Sequence, residues 1–178
     1  MNRRGYAELF ACIANPLFTF MAAQMEDLLF KGVQTSKLVL DALEPVGQYD
    51  LFQRKVEPED RAACYEAIKD IAAREFIPMD ATPHIIEHKH AGFVMGVLLK
   101  KDASFPEEQR LSTVLATLPE ETIGSWVACN KGCFMLLRML ENGSKASQQK
   151  VKKSVSVKRL QGYSNVGAKL LLDAITAK

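Results

Sequence analysis

The sequence predicts an all-α fold, a right-handed superhelix of about four α-helical repeat units. Three observations lead to this prediction. One apolar pattern recurs four times, its spacing is that of one face of an α-helix, and no alternation of Val, Ile and Thr is long enough for a strand. With 178 residues, 48% hydrophobic and 25% charged, the chain has the composition of a globular protein. A chain of this length needs no disulfide or metal to fold.

Each repeat is marked by a small residue, which we call the pivot. The pivots are Thr35, Ala91, Gly132 and Gly167, and they lie 56, 41 and 35 residues apart. The residues three, four, seven and eight positions after every pivot are apolar, so they form one stripe along a helix. These sixteen stripe residues are Leu38, Val39, Ala42, Leu43, Val94, Met95, Leu98, Leu99, Met135, Leu136, Met139, Leu140, Leu170, Leu171, Ala174 and Ile175.

The neighbourhood of the pivot predicts how the repeats pack. A bulky residue stands six positions before the first three pivots (Leu29, Ile85 and Trp126), whereas the fourth repeat has Gln161 there. Because the pivots are small, we expect the start of each striped helix to pack closely on the preceding structure. Each such unit buries its apolar face only by stacking on its neighbours.

The units are predicted at roughly 1–45, 57–102, 106–142 and 145–178, within a single domain. Weaker helical patterns cover 57–74, 106–118 and 145–155. Near the N-terminus, Pro16 is predicted to start a helix. Loops are expected at 45–57 and 76–83, where Pro and Gly interrupt the pattern.

Charge is distributed unevenly along the chain. Residues 1–141 hold 20 of the 21 acidic residues and 15 basic ones, a net charge of −5, whereas residues 142–178 have a net charge of +7. A basic surface of this kind neutralises phosphates and predicts nucleic-acid binding. The alternative is a polar cap that keeps the end of the array soluble. The candidate binding residues are Lys145, Lys150, Lys152, Lys153, Lys158, Arg159 and Lys169.

Three segments resemble a known family. They are 124–132 (GSWVACNKG), 87–91 (EHKHA) and 164–167 (SNVG), each followed by an apolar helix. This pattern resembles the C-terminal CPL region of the Puf-A/Penguin branch of the Pumilio-homology (PUF) family. The resemblance implies a nucleolar or nuclear factor of large-subunit ribosome biogenesis that binds structured RNA or DNA without base specificity. It also implies that further PUF repeats precede this stretch in a complete protein.

The residues permit a test of base specificity. In PUF repeats that read sequence, two or three side chains per repeat contact one base. By the family pattern these lie one, two and five positions after the pivot, and the last is commonly Gln or Glu. Here the last position holds Leu40, Gly96, Leu137 and Leu172, which offer no hydrogen bond to a base. The remaining ways to bind nucleic acid are phosphate contacts and the stacking of bases on Phe93 or Phe134. We expect both of these rings to be buried instead.

The sequence supports other functions more weakly. A protein-docking scaffold is the main alternative, in which the acidic region 57–60 holds a ribosomal protein or assembly factor and RNA contact is incidental. The string from His84 to His88 has the H-x-x-E-H spacing of a zinc protease, but it is expected at the end of a helix, where the histidines are structural.

Catalytic and membrane motifs are not expected. No phosphate-binding Gly loop, nucleophile motif or paired-carboxylate signature is present, so no enzyme activity, cofactor or small-molecule substrate is predicted. Residues 9–25 are interrupted by polar residues and Pro16, so neither a membrane span nor a secretory signal is expected. Cys129, Cys133 and Trp126 are expected to be buried.

Overall fold

Residues 3–45 and 56–177 are described by a computed structural model, and every regular element within those two ranges is helical. The all-α prediction is confirmed. The helices are α1 (Arg3–Ala23), α2 (Met25–Phe30), α3 (Val33–Leu43), α4 (Pro58–Ala72), α5 (Lys89–Lys100), α6 (Leu111–Leu115), α7 (Glu120–Ser125), α8 (Asn130–Glu141), α9 (Lys145–Ser154), α10 (Val157–Gln161) and α11 (Val166–Thr176). Short 3₁₀ turns cover Asp102–Ser104, Glu107–Gln109 and Trp126–Ala128.

The helices pack in two rows. The striped helices, which we call pivot helices, follow one another in space, with α3 on α5, α5 on α8 and α8 on α11. A second row runs beside them, with α1 on α4, α4 on α6 and α6 on α9. Four successive units result, which we define as α1–α3, α4–α5, α6–α8 and α9–α11. This is the architecture of a helical repeat, in which each unit contacts its neighbours in the chain.

The apolar stripe forms the core between units. Fourteen of the sixteen stripe residues are buried or half-buried, and the two exposed ones are Leu38 and Leu170, at 41% and 43%. Those two lie in the first and last of the described units. Both residues are within continuous helices, so their exposure does not reflect a break in the helical pattern.

The small pivots mark close contacts, as expected. A methyl group added to Gly132 would overlap the carbonyl oxygen of Trp126, and one added to Gly167 would lie 2.7 Å from the carbonyl oxygen of Asn130. Ala91 is fully buried at the corresponding place in the second unit. The bulky residue before the pivot is buried as well, and in the fourth unit Leu160 fills this role in place of exposed Gln161.

The N-terminal helix differs from its prediction. Pro16 does not start a helix but lies inside α1, which is continuous from Arg3 to Ala23. A proline removes the hydrogen bond to the carbonyl four residues earlier, here that of Cys12. Because Pro16 and Cys12 are both exposed, water can satisfy that carbonyl, and the helix continues through the proline.

Helix α1 is also long and apolar. Within the described part of the chain, its segment Gly5–Ala23 has the length and mean hydropathy, 1.3, of a membrane-crossing helix. The interruptions in 9–25 therefore do not exclude such a segment by length and composition. In the structure α1 lies against α4, with Phe10, Ala14, Phe18 and Met21 buried.

Two further predictions need correction or comment. The helix expected over 106–118 is a 3₁₀ turn followed by the short α6, because the chain is extended at Arg110. There the buried carboxylate of Asp102 accepts hydrogen bonds from the N–H groups of Leu111 and Ser112, at 2.8 and 3.1 Å, and fixes the new start. The predicted loop at 76–83 is not helical, whereas most of the loop at 45–57 lies outside the described residues.

Candidate nucleic-acid interface

Six of the seven predicted binding residues lie on α9 and α10 of the fourth unit. Ser144 caps α9 by accepting a hydrogen bond from the N–H of Ser147, and Ser156 caps α10 by accepting one from the N–H of Arg159. On α9, Val151 and Ser147 face the core. The four lysines, spaced by about 100° per residue, cover roughly half of the opposite circumference. All but half-buried Lys150 are exposed.

In the described part of the chain these cations form no ion pairs, and the one carboxylate bonded to them is that of Glu107, which accepts a hydrogen bond from the backbone N–H of Lys145 at 3.4 Å. No carboxylate lies between Asn142 and Leu172 in the sequence. Among the ion pairs of the described residues, which include Lys31–Asp27 and Lys37–Asp41, none involves the six cations of α9 and α10. Only Arg159 makes a side-chain hydrogen bond, to the carbonyl of Gly124 at 3.4 Å. The charges of this surface, which we call the basic surface, are thus available to a polyanion.

The seventh predicted residue lies elsewhere. Lys169 is exposed on pivot helix α11, two positions after the pivot Gly167. Its counterparts in the second and third units are Phe93 and Phe134, which line the pivot-helix row. The structure therefore places Lys169 in the row of pivot helices, whereas the other six residues belong to α9 and α10.

Sequence reasoning missed a second cationic site, a cleft between α5 and α8. It has a volume of about 290 Å³, and three cationic side chains, two phenylalanines and no carboxylate line it. Its lining is Lys89, Gly92, Phe93, Val97, Lys131, Phe134, Met135 and Arg138. The sequence does contain a sign of this cleft, because Lys89 and Lys131 stand just before two pivots. The contrast in net charge between chain segments, however, points to the C-terminal segment only.

Burial of both phenylalanines was expected and is wrong for one of them. Phe93 is 63% exposed, and Phe134 is half-buried. A helix position two residues after the pivot points away from the stripe, so its side chain faces the cleft. Next to the rings, the guanidinium of Arg138 packs against Gly96, where any larger side chain would displace it. The site thus offers an accessible ring beside three cations.

A neighbouring groove between α3 and α5 has a different character. It is larger, about 590 Å³, and it includes the carboxylates of Asp41 and Glu44. These carboxylates are paired with Lys37 and Lys101, at 3.0 and 2.5 Å. Its mixed charge makes this groove a poorer match for a polyanion than the cleft between α5 and α8.

The histidine string does not lie at the end of a helix. Residues 84–88 form turns, and α5 begins only at Lys89. His84 is buried, with its Nε2 2.8 Å from the carbonyl of Arg74 and its Nδ1 accepting from the N–H of Ile86 at 3.2 Å. This arrangement requires neutral imidazole, and burial lowers the pKa of His84. His88 caps α5 by accepting from Ala91.

The remaining candidates are structural. Among the described residues no group of three or more His, Cys, Asp or Glu could hold a metal ion. Burial raises the pKa of Cys133 to about 11, and Cys129 caps α8 by accepting from the N–H of Gly132. Trp126 is fully buried, as expected.

The comparisons with known proteins agree with this architecture. No family model matches the chain. Over 168 residues it is 42% identical to Pumilio domain-containing protein 12 of Caenorhabditis elegans. The aligned region covers 93% of this chain and 22% of that relative. The chain thus spans about a fifth of the length of that relative.

Solved structures give the same fold. Human Puf-A matches 94% of this chain with a TM-score of 0.74 and 22% identity, over 31% of its own length. Human Puf-A in complex with DNA matches 94% of this chain with a TM-score of 0.71 and 21% identity, over 30% of its own length. The resemblance found in the sequence is confirmed: the chain is homologous to a region of a Pumilio domain-containing protein and has the helical repeat fold of Puf-A.

Proposed function

We propose that this chain is a non-enzymatic module that binds structured RNA, and also DNA, through the backbone and without base specificity. The observation that carries the proposal is the basic surface, six cations on α9 and α10 that form no ion pair among the described residues. Backbone phosphates of any sequence fit such a surface. The similarity to human Puf-A, which was solved in complex with DNA, supports a nucleic-acid partner.

The pivot helices support binding without base reading. At the position from which a PUF repeat reads a base, this chain has Leu or Gly, and Arg138 covers Gly96 in the second unit. The cleft between α5 and α8 adds cations and the exposed ring of Phe93. Aromatic stacking accepts every base, so it adds affinity for unpaired nucleotides without selecting a sequence.

The test is a fourfold substitution of Lys150, Lys152, Lys153 and Arg159 by Ala. If each contacts one phosphate, the slope of log K against log salt concentration for duplex RNA or DNA should become shallower by about 3 to 4. Affinity should fall equally for unrelated sequences.

A control variant loses the same number of charges elsewhere. It replaces Lys31, Lys37, Lys100 and Lys101 by Ala, three of which form ion pairs with carboxylates. Both variants should be compared by fluorescence anisotropy at several salt concentrations. Equal losses in the two variants would mean that net charge, and not the basic surface, governs binding.

We further propose that the module acts in large-subunit ribosome assembly in the nucleolus, alongside ribosomal proteins and assembly factors. Support comes from the family resemblance and from a binding mode suited to folded RNA of many sequences. A fluorescent fusion should concentrate in nucleoli, and the protein should sediment with large-subunit precursor particles. A diffuse cytoplasmic signal and sedimentation with free proteins only would contradict this proposal.

The chain is proposed to be the C-terminal part of a longer PUF array. On α1, Leu9, Ile13 and Phe20 form an apolar stripe and are 52%, 49% and 54% exposed, on a face that α4 does not cover. A preceding repeat would bury this stripe. In the intact protein, Ile13→Lys should then lower the thermal midpoint by several degrees, as expected for a charge placed in an interface between repeats. An unchanged midpoint would show that nothing packs there.

Protein docking remains the second candidate function, and one groove supports it. The groove lies between α4 and the turn before α6, has a volume of about 300 Å³, and places Glu59 and Glu108 beside Pro58 and Tyr65. A basic partner segment would suit it. Under this alternative, Glu59→Lys should abolish capture of a partner that survives nuclease treatment, while the basic-surface variant retains it.

A further inference from the structure

An apolar turn projects from the loop between α4 and α5. Ile77 and Met79 are 58% and 98% exposed, with the exposed Pro78 between them. Met79 is the most exposed large hydrophobic side chain of the described residues. Scattered apolar residues on a surface are ordinary, but three in succession at the tip of a loop form a compact apolar knob. We call residues 77–79 the apolar tip.

The backbone of the tip does not favour the residue that it carries. The N–H of Asp80 donates to the carbonyl of Ile77 at 3.3 Å, which closes a four-residue turn. Pro78 takes the second position and Met79 the third, with a φ of 64°. A turn with proline second and positive φ third is of type II, and glycine or asparagine is preferred at the third position. Methionine there is strained, yet its side chain contacts solvent, so no contact within the chain compensates for the strain.

Hydrogen bonds and one buried ring hold the base of the loop in place. The guanidinium of Arg74 donates to the carbonyls of Thr82 and Pro83 at 2.8 and 2.9 Å, which closes the loop. Phe76 is buried, and its N–H donates to Ser125 of the next unit at 2.8 Å. Because the loop is fixed at both ends, its backbone loses little conformational entropy on binding, and the main entropic cost is that of ordering the Met79 side chain.

We infer that the apolar tip docks into an apolar pocket of another protein, and that lysine or arginine side chains rim this pocket. The exposed carboxylates of Glu75 and Asp80 flank the tip in the sequence and outnumber the one cation of the loop, Arg74, so they supply the complementary charge. This net negative charge favours a basic protein surface over a phosphate backbone as the partner. The inference is independent of nucleic-acid binding by the basic surface.

Three substitutions separate a docking role from a structural one. Met79→Gly removes the side chain and relieves the strain, so the thermal midpoint should not fall and can rise by up to about 3 °C. Met79→Leu keeps an apolar side chain at the tip. Val166→Gly is the matched control, because Val166 is 62% exposed on another unit.

The partner can be identified by photo-crosslinking in cells, with Met79→benzoylphenylalanine in the intact protein. We expect a crosslink to one protein, mapped to a peptide with apolar residues and Lys or Arg. That protein, once purified, should bind Met79→Gly about 10- to 100-fold more weakly than wild type, as expected for loss of a buried methionine side chain. Met79→Leu and Val166→Gly should bind it within about threefold of wild type, by the small cost of isosteric or remote changes.

Several results would overturn the inference. A crosslink to RNA, to another part of the same chain, or to many unrelated proteins would show that no dedicated pocket receives the tip. Unchanged affinity of the Met79→Gly variant for the crosslinked protein would do the same. A thermal midpoint of that variant well below wild type would show that Met79 serves the fold instead.

Discussion

Replacing Gly132 by Ala is the most direct test of how the repeats pack. The added methyl carbon would overlap the carbonyl oxygen of Trp126 and lie 2.9 Å from its carbonyl carbon and 3.1 Å from Ile86 Cδ1. The carbonyl oxygen and carbon of Trp126 are backbone atoms and cannot rotate away as a side chain can. Helix α8 must therefore move away from the 3₁₀ turn that contains Trp126. Overpacking of this kind costs about 1–3 kcal/mol or more, and we expect at least about 3 kcal/mol because the obstacle is backbone.

Thermal and urea unfolding of the purified chain measure this effect. For a protein of this size, about 3 kcal/mol corresponds to a fall of the midpoint by about 6–12 °C. Gly32→Ala is the matched control, because a methyl group there meets only Thr35 Oγ1, at 3.8 Å, and its extended backbone suits any residue. If Gly132→Ala lost no more stability than Gly32→Ala, the close contact between α8 and Trp126 would not explain why residue 132 is glycine.

Three other predictions concern single side chains. Burial lowers the pKa of His84, so below about pH 6.5 the unfolded chain binds more protons than the folded chain, and the free energy of unfolding should fall as the pH falls. In His84→Gln, urea unfolding should show a weaker dependence on pH. Burial raises the pKa of Cys133 to about 11, so at pH 8 a thiol reagent should modify exposed Cys12 first, as peptide mass spectrometry can check. Phe93→Ala should leave the midpoint unchanged but weaken single-stranded RNA binding by about 1–3 kcal/mol in anisotropy titrations.

The core of the fold could be predicted from the sequence because its signal is periodic. The stripe after Ala91 and Gly132 is buried almost without exception, since burial of an amphipathic face decides helix packing. Details that depend on a single competing contact could not be predicted. The capping carboxylate of Asp102 breaks the helix expected over 106–118, and nothing in the local pattern reveals that a residue nine positions away will supply it.

Of the two candidate surfaces, the sequence pointed to the basic surface and not to the cleft between α5 and α8. Net charge along the chain pointed to α9 and α10, where all the lysines except half-buried Lys150 are exposed. The cleft between α5 and α8 joins Lys89, Lys131 and Arg138, which are far apart in the sequence and come together only through packing. The exposure of Phe93 could not be predicted from residue type, because an apolar ring at a helix surface resembles a core residue until the neighbouring helix is placed.

Charges of opposite sign on the second and fourth units give the molecule a direction in an electric field. Carboxylates dominate the surface of α4 and cations that of α9 and α10, two units further along. Near a densely charged polyanion, such an asymmetry favours orientations in which the last unit approaches first. An encounter oriented in this way would leave the acidic groove at Glu59 away from the polyanion, where a second macromolecule could reach it.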